Sequence, residues 1–290
     1  MKVRTIASCI VFLTVSVTAG QAQTAPQLFN RETLEYPGDK EQQAKLLLRK
    51  PVLWGKIKEK SAVIDTAFII FLKTDPGISK DRLKQYLDEK HIREAEVGGS
   101  IAKPLSGVTK NGKHTLARYF VIHDMSTPSI PHRFPDNIND ATWGYNRLSH
   151  WKWNAGKQPP SHTMITRLGT SKTMIDFSEK KKATKFERDI LGPSYYGLFL
   201  HVEMLQPRIY PPGTAKSAPV APDPGFTDAQ YERLALMYIC AGIRKGEWLV
   251  PAFHVDVDEL LNDGHDDPQH FELKKFTDYV LKITGDLKSE

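Results

Sequence analysis

Apolar residues fall along this chain in short blocks separated by polar, proline-rich and glycine-rich stretches, and the spacing within each block predicts an element. Residues 66–73, TAFIIFLK, carry the β-branched and aromatic content of a buried strand. Residues 80–90 place Leu83, Tyr86 and Leu87 at helical spacing, and a short helix is expected over 41–48. Further strands are predicted at 117–124, 162–169 and 198–205. In the last of these His201 and Glu203 share a face, because side chains alternate with period two. Six prolines between 207 and 225 mark a loop, and Thr227 with Gln230 has the spacing of a helix-capping box before a mostly apolar helix that ends near Ile243. Interleaved strands and helices predict an α/β fold, a central mixed sheet flanked by helices, with a small N-terminal accessory segment.

The start of the chain changes the picture of where it works. Lys2 and Arg4 precede an apolar run over 6–17, too short to cross a bilayer, and Gly20 and Ala22 offer the small residues a signal peptidase reads. Residues 1–22 are therefore expected to be a cleaved signal peptide. Cys9 lies inside the apolar run, so no lipid anchor and no stable membrane attachment is expected. The organisation that follows is a leader and accessory segment over 23–110 and a main domain over 111–290, exported to the periplasm or secreted.

With 290 residues, 40% hydrophobic and 26% charged, the chain excludes the disordered and fibrous classes. Losing Lys2 and Arg4 lowers the formal charge from +6 to +4, which suits an anionic polymer. Lys180 to Lys182 is a short run without interleaved aromatics, so nucleic acid is not the expected partner. Cys240 is the only cysteine past the signal, which rules out an internal disulfide. Its apolar neighbours point to a buried structural thiol rather than a nucleophile.

Histidine and carboxylate carry the chemical signal. Catalytic zinc takes three protein donors, typically histidine nitrogen with carboxylate oxygen, and keeps a position open for water. His123 closes a predicted strand, His254 follows the apolar run 248–253, and Asp267 lies thirteen residues further on in GHDDPQHF. A second set, His254, Asp256 and Asp258, shares one face if 254–258 is a strand. The simpler reading of Asp256, Asp258 and Asp263 is a solvated acidic surface. His91 and His114 sit in charged surroundings and read as solvated. Trp143, Tyr145, Trp151 and Trp153 lie close together, suited either to stacking on sugar rings or to packing.

These segments, in this order, resemble the zinc N-acetylmuramoyl-L-alanine amidases of the amidase-2 and peptidoglycan-recognition group. YFVIHD (119–124) is similar to the family's opening strand and histidine, HTMITRLG (162–169) to its next strand, and GLFLHVE (197–203) to the strand bearing the catalytic glutamate. TDAQYERL (227–234) resembles the following helix. His254, then His265, Asp266, Asp267 and Pro268, resembles the closing histidine and its basic-residue, spacer, aspartate, proline signature. The likeness spans about residues 115–275.

The resemblance implies zinc held by His123, His254 and Asp267, with Glu203 or His201 as general base. It also implies His265, where the family usually has lysine, beside the substrate carbonyl. The implied substrate is peptidoglycan or its muropeptides, cut between N-acetylmuramic acid and L-alanine. A histidine at 265 titrates near neutrality, so activity is expected to fall at alkaline pH sooner than with lysine. The chain departs from the pattern at Asp124, where the family has a second histidine, and at 183–187, ATKFE, where it has a tryptophan–histidine stretch. The interval between His254 and Asp267 is longer than usual and leaves Asp266 or His265 as rival third ligands. A non-catalytic peptidoglycan-binding protein on the same scaffold, and a different metal-dependent hydrolase built on His254, Asp256 and Asp258, are the other functions these residues allow.

Overall fold

The computed structural model describes residues 23–52, 56–151, 159–210, 212, 219–259, 261 and 265–289. The expected signal segment, Trp153 and Asp263 lie outside them. In chain order the first elements are α1 (Ala25–Leu28), α2 (Lys40–Leu47), the two-residue strands β1 (Pro51–Val52) and β2 (Lys56–Ile57), α3 (Thr66–Leu72) and α4 (Lys80–Glu89). A hairpin, β3 (Gly107–Lys110) with β4 (Lys113–Leu116), leads into β5 (Tyr119–Asp124). Then come β6 (Ser129–Pro131), β7 (Thr163–Ile165), β8 (Ser171–Thr173), β9 (Phe199–Met204) and β10 (Arg208–Tyr210). The chain closes with α5 (Asp228–Lys245), β11 (Val250–Phe253), α6 (His254–Val257) and α7 (Leu273–Lys288).

The central sheet has the order β11-β5-β9-β7-β8, parallel throughout except for the antiparallel edge strand β8. This is the mixed α/β sheet flanked by helices that the patterning predicts. Alternation along β5 sorts its residues between two faces. On one, Phe120 meets Tyr238 of α5 with ring centroids 5.3 Å apart, and α7 packs on α5 in turn. On the other, Tyr119 stacks on Phe199 at 5.1 Å, and its hydroxyl accepts from the Tyr36 backbone N–H and donates to Gln43 of α2. The N-terminal segment thus covers the face that ends in His123. Thr227 and Gln230 form the expected capping box, and α5 stops at Gly246, whose positive φ ends the helix.

One expectation changes. Residues 66–73 form helix α3, not a strand: Asp65 caps it, Phe68, Phe71 and Leu72 turn inward at helical spacing, and Ile70 is 60% exposed. A continuous apolar run has no period that separates the two choices. The N-terminal segment shares its core with the rest of the chain. One core runs from Ala25 to Leu287 without a break at residue 110. Buried Arg49 reinforces the join: its Nε and backbone N–H donate to Asp256, its guanidinium also reaches Glu259, and Glu259 accepts from the Ala25 N–H.

Candidate metal centre

Parallel pairing brings the two histidines together. Val250 to Phe253 run beside Tyr119 to Ile122, so the next residue of each strand, His254 and His123, emerges at the carboxyl end of the sheet. That end is where open α/β sheets hold their ligands. Asp267 arrives on a loop whose backbone is tied down twice: its carbonyl accepts from Val255 N–H, and two residues on Gln269 N–H donates to Asp124. Asp124 is itself gripped through both oxygens at 2.7 Å by buried Arg208. Asp124 therefore anchors the loop that carries Asp267.

His123, His254 and Asp267 are all buried, and their donor atoms lie within 4.8 Å of one another, an arrangement that can hold a metal ion. His254 Nδ1 is 2.8 Å from Asp267 Oδ2, and His123 Nδ1 is 3.6 Å from the same oxygen. Burial and the neighbouring His254 and His201 push His123 down to about 3, so it is neutral at any working pH. Burial also opposes charge on His254, but the Asp267 carboxylate and hydrogen bonds to Asp258 and Asp267 outweigh it and hold that imidazole well above its ordinary value. Asp267 is held well below the usual carboxylate range: burial disfavours its charge, yet the charge of His254 and the hydrogen bonds from His254 and His265 prevail.

Glu203 pairs directly with His123 across β5 and β9, on the same face. Its Oε2 is shut off from solvent with no hydrogen-bond partner among the described residues, and burial with the nearby Asp267 charge pushes the carboxyl up to about 8. His265 stands at the rim, with its side chain 42% exposed, its Nδ1 3.5 Å from Asp267 Oδ1 and its ring 4.6 Å from that of His254. His201 is buried behind His123, with its Nδ1 3.0 Å from His123 Nε2. Of the rival third ligands, Asp266 turns away to accept from Gln269 and to face Arg208 at 3.9 Å.

The set His254, Asp256 and Asp258 does not assemble. The chain is helical there, so Asp256 points to Arg49, while Asp258 lies one turn beyond His254 and accepts from its Nε2 at 2.9 Å. Asp256 and Asp258 are buried rather than solvated. Sequence reasoning missed the outer carboxylates, Asp258 behind His254 and Glu187 behind His201. Both are held by the stretch 183–187. Ala183 and Thr184 N–H donate to Glu187, and Lys185 and Phe186 N–H donate to Asp258. The departure from the family pattern at that stretch was the available signal. Trp143 is buried beside Ile138 and Leu205 and packs rather than presenting a free ring; partly buried Tyr145 and Trp151 lie against this cluster.

Comparison with family models, with curated proteins and with solved structures gives no match. Among the described residues no helix is long and apolar enough to cross a membrane.

Proposed function

We propose that the chain is an exported, zinc-dependent hydrolase of the amidase-2 kind, cutting the amide between N-acetylmuramic acid and the L-alanine of peptidoglycan stem peptides. The observation that carries this reading is the buried triad at the carboxyl end of the sheet with an unpartnered carboxyl oxygen beside it. Two imidazoles and one carboxylate are the donor set of catalytic zinc, whereas calcium and magnesium take oxygen donors. The residues fit the ion.

Zinc bound by His123, His254 and Asp267 supplies a Lewis acid that lowers the pKa of water and polarises the scissile carbonyl. The chain supplies the proton traffic. Glu203 Oε2, which meets no donor among the described residues, takes the proton of the attacking water and returns it to the leaving nitrogen of L-alanine. A carboxyl raised toward neutrality suits both halves of that task. His265 at the rim donates to the oxyanion that develops on the lactyl carbonyl. His201 does not serve as base, because His123 occupies its Nδ1. The positive charge left after removal of residues 1–22 draws the protein to the anionic cell wall.

The test is release of an L-alanyl peptide from a synthetic N-acetylmuramoyl-L-alanyl peptide. Turnover is expected with zinc, is lost after stripping with chelator, and returns when zinc is restored. Equal turnover by the stripped protein would remove the metal from the account.

A further inference from the structure

Behind His123 a line of buried polar groups runs away from the triad. His123 Nε2 lies 3.0 Å from His201 Nδ1, and His201 Nε2 lies 2.9 Å from Glu187 Oε2. All three residues are buried. Both rings are fully buried and a metal-ligating imidazole is neutral, so each ring carries one N–H and one lone pair. The order of hydrogens along this line is set at its far end.

Glu187 Oε2 accepts from the backbone N–H of Ala183 and Thr184 at 3.2 Å and from the Thr184 hydroxyl at 3.0 Å. Three donors on one oxygen keep it an acceptor whatever charge the carboxyl bears, because a proton would sit on Oε1, which has no partner among the described residues. The other neighbour of His201 Nε2 is the Lys181 backbone carbonyl, again an acceptor. Neither acceptor lies on the ideal line of the N–H. Even so, a lone pair at Nε2 would face only oxygen lone pairs, so the hydrogen belongs on Nε2. His162 holds the ring in place: its Nδ1 accepts from His201 N–H at 3.0 Å, its Nε2 donates to the Glu179 carbonyl at 3.1 Å, and the two rings stack at 5.7 Å.

With the hydrogen on Nε2, His201 Nδ1 has a lone pair and accepts from His123 Nε2–H. The His123 lone pair then falls on Nδ1, the nitrogen that faces Asp267. The reverse order would put a hydrogen on His123 Nδ1 and block it. We propose that His201, oriented by Glu187 and His162, is a positioning residue that fixes His123 as the Nε2–H tautomer and so presents its Nδ1 lone pair to the metal. The assignment rests on reading the triad as a metal site, and it gives the residue in the family's glutamate-bearing strand a different task in this chain.

Two-bond proton–nitrogen NMR on histidine-labelled protein reads the tautomer directly, and zinc chloride titrated against a chelating dye reads the affinity. In the metal-free protein His123 is expected as Nε2–H, with the same nitrogen protonated after zinc is added. His201→Asn keeps an acceptor at the Nδ1 position and is expected to hold zinc within about threefold of the parent, whereas His201→Leu removes it and lowers affinity about 10- to 100-fold. An Nδ1–H signal for His123 in the parent protein, or unchanged zinc affinity in a folded His201→Leu, would overturn the proposal. If His201→Leu does not fold, the parent spectrum and the His201→Asn affinity still decide. A parent protein that binds no zinc defeats the metal-site reading by itself, while its spectrum still shows which tautomer the line of groups imposes.

Discussion

Replacing Glu203 by glutamine separates what the carboxyl does in the reaction from what it costs the fold. In the metal-free protein the folded state holds this group at about 8, against an ordinary glutamate value of 4.5. Because the folded pKa is raised, the associated stability is complete below about pH 4.5 and is lost as pH rises through 8. The ceiling of that loss, at about 1.36 kcal/mol per pH unit of displacement, is about 5 kcal/mol. Local relaxation and water entering the cleft reduce it, and about 2 kcal/mol is the value we expect to measure. Glutamine mimics the protonated carboxyl at every pH. The metal-free Glu203→Gln protein should therefore melt with the parent at pH 5 and about 4 °C above it at pH 9. The zinc-loaded variant should lose about 10²- to 10⁴-fold in kcat, the range for a positioned general base. Thermal melts followed by circular dichroism at five pH values, with turnover of a muramoyl peptide, read both. A melting gap independent of pH refutes the buried-carboxyl argument, and a loss of turnover below about tenfold refutes the role of base.

Two further substitutions probe the surroundings. Asp258→Asn weakens the carboxylate that accepts from His254 Nε2, so zinc affinity measured by chelator competition should drop about 10- to 100-fold; the amide also turns an N–H toward the Lys185 or Phe186 N–H, so the metal-free melting temperature should fall as well. Arg49→Ala strands Asp256, whose carboxyl is buried and already held well above its ordinary value by desolvation. Urea unfolding should show a loss of about 3–5 kcal/mol, and a loss under about 1 would mean that Asp256 finds another partner.

Much of the site is legible in the sequence because parallel strands deliver residues in a simple way. An apolar strand that ends in a histidine, twice, predicts two histidines side by side once the strands pair, and β5 with β11 does this. The capping box at Thr227 is local chemistry and needs no tertiary information. Partnerships between distant residues leave no such trace. Asp258 meets Lys185 and Phe186 across more than seventy residues, and Arg49 meets Asp256 across more than two hundred, so no window of sequence shows either. Period was the other limit. Residues 254–258 alternate as a strand would, yet the chain turns helical at His254, which swings Asp256 to the N-terminal segment and sets Asp258 behind the histidine. The acidic surface expected there is a buried scaffold.

The central claim is a metal-assisted cut at one bond, and product mass tests it most directly. Zinc-loaded protein lacking residues 1–22, incubated with intact sacculi, should release stem peptides whose first residue is L-alanine with a free amine, leaving glycan strands with unsubstituted lactyl groups. Fragments cut within the stem peptide, or none at all with zinc bound, would contradict the account.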